Sequence, residues 1–296
     1  MTTITTSNSA AHRAPRHGQR LVWAERRAAA AFLAPAFIFL ALVVVFPLGQ
    51  AFVTSLYRIR GLRSSFVGFD NYWRTITDDA FWSSLGTSLV FTASCVIAHL
   101  AIGLGLALLL NRVTVARTLF RIAFLMPWII APAIGATIFL WMLEPQFGVI
   151  NYLLQAGGII SEPIAWLGRP WSALVSVILV DVWRGVPFMM LLMLAGLQTI
   201  PADQYEAARI DGAGPWQQFR YITLPNLAYL MVVGTTLDII NTIRHFDIIA
   251  VMTGGGPVSS TEVLPVLLYN TAFRANRLGE AATIGILLLG IVLAFS

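Results

Sequence analysis

The sequence predicts an all-α membrane protein with six spanning helices, and three observations carry that prediction. Only 11% of the 296 residues are charged, against about 25% in a soluble domain. The mean hydropathy is +0.76. Six runs stay apolar over the roughly 20 residues that a crossing helix needs.

A polar tail, 1–27, precedes the membrane domain, 28–296. The first run, about 28–50, is too long for a signal region and its leader too polar, so it reads as a retained span. The second, about 84–110, holds small residues such as Ala101 and Gly105 that suit close helix packing. The third, about 118–142, carries Pro127 and Pro132, while Pro35, Pro47 and Pro187 fall in other runs. Kinks of this kind persist in membranes where neighbouring helices re-satisfy the freed carbonyls. The fourth, about 172–198, leads into a polar island at 199–224, and Pro225 opens the fifth, 225–252. "TGGGP" at 253–257 lacks the lysine of a phosphate cradle and reads as a tight turn outside the membrane. The sixth run, 279–296, is just long enough to cross.

Arginine bias sets the orientation. Arg13, Arg16, Arg20, Arg26 and Arg27 cluster in the tail; Arg112 and Arg117 lie in the 111–117 link, with Arg121 just inside the next span; Arg209 and Arg220 lie in the island. With six spans these share one side, opposite Arg58, Arg60, Arg63, Arg74, Arg169, Arg274 and Arg277. The compact tail cluster decides for a cytoplasmic N-terminus and a cytoplasmic island.

Composition also excludes functions. All 19 basic residues are arginine. A Walker-type phosphate loop ends in Gly-Lys-Ser/Thr, so this chain has no standard one, and any ATP it depends on is bound by another subunit. The net charge of +5 is explained by membrane flanks rather than by nucleic acid. A single Cys95 allows neither an intrachain disulfide nor a cysteine-based zinc cluster. His12, His17, His99 and His245 lack ligand spacing, so no metal is expected. No nucleophile–base pair points to an enzyme.

The island is strongly patterned. Pro201 suits the first position of a helix, and Asp203 favours the positive end of its dipole, so 202–210 reads as a short helix. Gly212 fits a terminating position with positive φ, Gly214-Pro215 makes a second break, and 216–221 reads as another helical piece. Ala207 and Ala208 let a second surface approach closely, and Glu206 and Arg209, at i and i+3, present charge on one face.

The motif is Glu206-Ala207-Ala208, then Gly212, then Ile222-x-Leu224-Pro225. It resembles the EAA loop of permease subunits of ABC importers. "LAPAFIFLALVVVFPLGQAFVTSLY" (33–57), "VGFDNYWR" (67–74), "LFRIAFLMPWIIAPAI" (119–134), "FGVINYLL" (147–154) and "FDIIAVMTGGGP" (246–257) are similar to blocks of the carbohydrate, maltose-type branch. The resemblance implies the type I importer permease fold with six helices and a cytoplasmic coupling helix. It implies that Glu206, Ala207, Ala208, Arg209, Asp211 and Gly212 dock on a separate ATPase, which holds ATP and Mg. It also implies a second homologous permease, two copies of the ATPase, an extracytoplasmic solute-binding protein and a place in the bacterial inner membrane. The sequence does not choose the solute among a disaccharide such as trehalose or maltose, an oligosaccharide, an amino sugar and a glycerol-phosphate compound.

Ionisable residues inside spans are costly in lipid and usually face the bundle interior or a water-filled cavity. Asp181 and Arg184 in the fourth span are spaced to pair, with Trp183 beside them to stack on a sugar ring; the fifth span carries Asp238, Asn241, Arg244 and His245. Two roles fit Asp181, Trp183, Arg184, Asp238, Asn241 and Arg244: a salt bridge bracing the helices, or the polar lining of a solute path. A self-contained secondary transporter of a small polar solute is the alternative function; it would show internal repeats and broken spans at the midplane, and no repeat is visible.

Overall fold

The computed structural model describes residues 17–60, 63–112 and 117–295. The N-terminal arginines Arg13 and Arg16 and the middle of the 111–117 link, on which part of the predicted orientation rests, lie outside the described residues. The chain divides into two compact units after Ala51. The first is helical: α1 (His17–Leu40) passes through a π-helical turn (Ala41–Val45) into α2 (Phe46–Ser55), whose last four residues belong to the second unit. Its side chains Phe32, Phe37 and Phe39 are exposed, as suits a helix whose solvent is lipid.

The second unit begins at Phe52. It contains one departure from the all-α expectation, a hairpin of β1 (Tyr57–Arg60) and β2 (Arg63–Phe66). The amphipathic α3 (Asp70–Thr77) is anchored to its approach by Asn71, whose buried amide donates to the carbonyls of Ser55 (2.7 Å) and Tyr57 (3.0 Å). Asp70 accepts from Arg74 Nε at 2.8 Å and pairs with Arg58; the hydrogen bond from Arg74, with both guanidinium charges, holds its carboxyl below the usual carboxylate range.

Next come α4 (Asp79–Arg112), α5 (Arg117–Ile129), α6 (Pro132–Met142), α7 (Val149–Ala156), α8 (Pro170–Leu197) and α9 (Ala202–Ile210). The remainder is α10 (Pro215–Gln218), a π-helical turn (Phe219–Thr223), α11 (Leu224–Thr242), α12 (Asp247–Met252), α13 (Leu264–Tyr269), a further π-helical turn (Asn270–Arg274) and α14 (Leu278–Phe295). Among the described residues five helices are long and apolar enough to cross a membrane, and six if α5 and the tail of the same run count as one bent span.

Two predicted runs are not continuous helices. The third, 118–142, bends by 93° between α5 and α6. Ala131 is extended (ψ 135°) because it precedes Pro132, whose ring disfavours the helical region for its neighbour. The fifth does not start at Pro225. The Leu224 N–H bonds to the Phe219 carbonyl five residues back, so the helix widens just before the proline and continues. One helical element therefore runs from Pro215 to Thr242, and it stops there instead of reaching 252. The non-helical link 243–246 follows; irregular backbone at membrane depth survives where it is buried in protein or lines a cavity.

The core forms around the packing of α4 on α8. A Cβ on Gly103 would stand 2.9 Å from Met189 Cβ, and one on Gly185 would collide with the His99 ring, so glycine lets these helices touch. Phe91, Cys95, Val177 and Val180 are buried on one stretch of this seam, and Ala107, Met189, Met190 and Met193 on another. Helix α11 joins reciprocally: Gly196 of α8 receives Leu227 and Leu230, and Gly234 of α11 receives Leu192.

Candidate functional site

Where α11 breaks, a cavity of about 550 Å³ opens, lined by His99, Trp128, Arg184, Gly185, Phe188, Asp238, Asn241, Arg244 and His245. It gathers α4, α5, α8, α11 and the 243–246 link. Four of the six predicted path residues line it: Arg184, Asp238, Asn241 and Arg244. Asp181 and Trp183 do not.

A chain of buried polar contacts forms the inner wall. His99 Nδ1 lies 2.8 Å from Asp238 Oδ2, and its Nε2 lies 3.2 Å from the Asp181 carbonyl oxygen. His245 Nδ1 lies 2.6 Å from Asp181 Oδ1. Asp238 also accepts a long bond from Thr242, at 3.5 Å. A carboxylate and a carbonyl both accept, so His99 satisfies both partners only by donating from both ring nitrogens, as the imidazolium, or by sharing a proton with Asp238. Charges this deep persist because each carboxylate is hydrogen-bonded to an imidazole.

The expected Asp181–Arg184 pair does not form. Asp181 is 1% exposed and is taken by His245 and His99 from neighbouring elements, so it supports the cavity from behind. Arg184 Nε is buried without a hydrogen-bond partner at the cavity wall. Trp183 is not in the cavity lining, and its ring makes a T-shaped contact with Phe139 of α6, centroids 5.1 Å apart. Asn241 Oδ1 accepts from Arg244 Nη2 at 3.0 Å.

Sequence reasoning passed over His99, Trp128 and Phe188, and left His245 out of the path set. The signal for His99 was present: it is an ionisable residue within an apolar run, the same cost in lipid that singled out Asp181. The aromatic residues carried no such signal. Among the described residues no group of three His, Cys, Asp or Glu side chains is arranged to hold a metal ion.

The island forms the helix and turn expected of it. Glu206, Ala207, Ala208 and Arg209 lie on α9, which buries no residue; Asp211 caps it and Gly212 follows at φ +80°. Tyr205 Oη lies 2.9 Å from Thr223 Oγ1, and Asn226 donates to Gln204 Oε1 at 3.1 Å, which fastens α9 to the base of α11. Ile210 and Trp216 are 87% and 71% exposed. The short α9 thus carries charged residues and buries no face of its own.

The family of binding-protein-dependent transport system inner membrane components matches residues 99–296. The chain belongs to this family. As a binding-protein-dependent permease it is the membrane component of an ABC importer; its family consists of transporter subunits, not catalytic enzymes, and the self-contained secondary transporter is set aside. The permease is 35% identical over 277 residues to the sulfoquinovosyl glycerol transport system permease protein SmoG of Agrobacterium fabrum, covering 93% of this chain and 89% of that one. It is 37% identical over 255 residues to the trehalose/maltose transport system permease protein MalF of Thermococcus litoralis, covering 86% and 85%. In fold it is similar to a subunit of a bacterial alginate ABC transporter solved in complex with an alginate pentasaccharide-bound periplasmic protein: TM-score 0.78, 22% identity, 92% of each chain covered. That likeness supports the fold over nearly the whole of this chain.

Proposed function

We propose that the permease forms half of the translocation path for a sugar or sugar-like solute, with the cavity at the α11 break as its polar station. The observation that carries this is the cavity's composition: an amide, two guanidinium groups and two aromatic side chains converge there at the one place where α11 is interrupted. Hydroxyl-rich solutes take hydrogen bonds from such groups, and the relatives at over 30% identity carry names of glycoside and disaccharide transport. A second permease of like fold supplies the other half. Two copies of a cytoplasmic ATPase bind ATP and Mg and engage residues 202–221, with Glu206, Ala207, Ala208, Arg209, Asp211 and Gly212 at the contact. A solute-binding protein delivers the solute from outside, and the N-terminus lies in the cytoplasm. ATP-driven closure then pushes α9, and its ties to Thr223 and Asn226 pass the push into α11. Directionality requires that the cavity favour solute in only one of the two states.

The test is Asn241→Leu in the assembled transporter, with subunit yield and uptake scored separately. Yield stays full, and the solute concentration for half-maximal uptake rises a few-fold, as expected when one hydrogen bond of about 0.5–1.5 kcal/mol is lost. Full yield with unchanged uptake kinetics would place the path elsewhere.

A further inference from the structure

Two hollows near the α9 end of the bundle meet at two residues. The first is a dent of about 540 Å³ on the face of α4 that carries exposed Ile102 and Leu109, lined by these two with Gly105, Leu106, Leu108 and Arg112. Gly105 makes it: a Cβ there would meet nothing within 4 Å, so the missing side chain leaves open space between exposed Ile102 and Leu109. The second is a pocket of about 720 Å³ between the ends of α4 and α8 and the α9–α10 segment, whose lining includes Asn111, Arg112, Tyr205, Arg209 and Trp216. Leu108 and Arg112 line both.

The chemistry changes sharply along this track. The dent is apolar along α4 from Ile102 until Arg112. The pocket beyond it carries two arginines and no carboxylate. Among the described residues neither Arg112 nor Arg209 forms an ion pair, so two guanidinium charges face the pocket without a counter-ion. The length also fits. Ten residues of helix from Ile102 to Arg112 rise about 15 Å, and half of a hydrocarbon core roughly 30 Å thick is the same depth. With Arg112 at the headgroup level, where basic and aromatic side chains are common, the dent reaches from there to near the bilayer midplane.

We propose that this track is a binding site for an anionic phospholipid, with an acyl chain in the dent at Gly105 and the phosphate between Arg112 and Arg209. Basic pockets between helices at a membrane face bind acidic headgroups in this way. Because Arg209 and Tyr205 lie on α9, the lipid would tie the coupling element to α4, the helix that carries His99.

The experiment uses the assembled, delipidated transporter, with native mass spectrometry counting retained lipids after addition of phosphatidylglycerol or phosphatidylcholine. Wild type retains phosphatidylglycerol in preference. Arg112→Gln lowers that preference roughly fivefold, the size expected for one arginine near an anionic headgroup. Arg169→Gln, at the far end of α8, leaves it unchanged. Gly105→Leu, whose Cβ would meet open space, fills the dent and lowers retention of both lipids. The proposal is overturned if Arg112→Gln retains phosphatidylglycerol like wild type, or if wild type holds both lipids equally. It is also overturned if inorganic phosphate displaces phosphatidylglycerol as well as a second phosphatidylglycerol does, which would mark a bare anion site. Should Gly105→Leu fail to assemble, the Arg112→Gln result alone decides.

Discussion

His99 sits where α4, α8 and α11 meet, and its two ring nitrogens face Asp238 and the Asp181 carbonyl. Replacing it with leucine leaves Asp238 buried without its hydrogen-bonded partner. Breaking a buried pair from one side costs about 3–5 kcal/mol, whereas replacing both partners with apolar groups is often close to neutral. His99→Leu should therefore lower subunit yield and thermal stability sharply, and His99→Leu with Asp238→Leu should restore much of both. If the double variant is as unstable as the sum of the two singles, the pair does not carry the bracing. Asp70 is the counterpart outside the membrane. Its folded carboxyl is held below its unfolded value by Arg74 and Arg58. The tie is complete above the unfolded pKa of about 3.9 and is lost as pH falls through the lower folded value. Limited proteolysis between residues 57 and 77 should stay flat above that pH and rise only in stronger acid, and Asp70→Asn should be cut readily throughout.

At the scale of elements, the α9 unit depends on how its helix ends. Gly212 has φ +80° with open space around it, so the backbone angle alone demands glycine, and valine there is strained by its branching. Gly212→Val should leave the spanning helices folded and lower both uptake and solute-stimulated ATP hydrolysis in the assembled transporter. Normal values for both would remove α9 from the coupling role. This helix was legible in sequence because its signals are local: Pro201, Asp203, Gly212 and the Gly214-Pro215 break act within a few residues. The bend before Pro132 was half legible, since the proline was visible but its 93° consequence was not. The start of the fifth spanning element, at Pro215, was misplaced because Pro225 reads as a boundary, and the π-helical turn before α11 depends on a hydrogen bond to Phe219.

At the scale of the molecule, orientation is the property most open to direct measurement. Ser260 lies in the turn after α12 and Gln217 in α10, on opposite sides if the predicted topology holds. In intact cells whose outer envelope admits an impermeant thiol reagent, Ser260→Cys should label and Gln217→Cys should not, with Cys95, which is buried, staying silent. The reverse pattern would invert the orientation that the arginine bias implies.

The sequence by itself determined that the chain is a membrane permease: hydropathy, the absence of lysine and the spacing from Glu206 to Pro225 are written along the chain and need no partner to be read. Only the tertiary structure decided which buried charges meet. Asp181 and Arg184 are three residues apart and do not pair, whereas His245 reaches Asp181 across 64 residues and His99 reaches Asp238 across 139. The physical reason is that a helix fixes which side chains share a face, while glycine contacts such as Gly103 on Met189 and Gly185 on His99 fix how closely two helices approach. In a low-dielectric interior that approach selects the partner of each charge, and a one-dimensional pattern does not contain it.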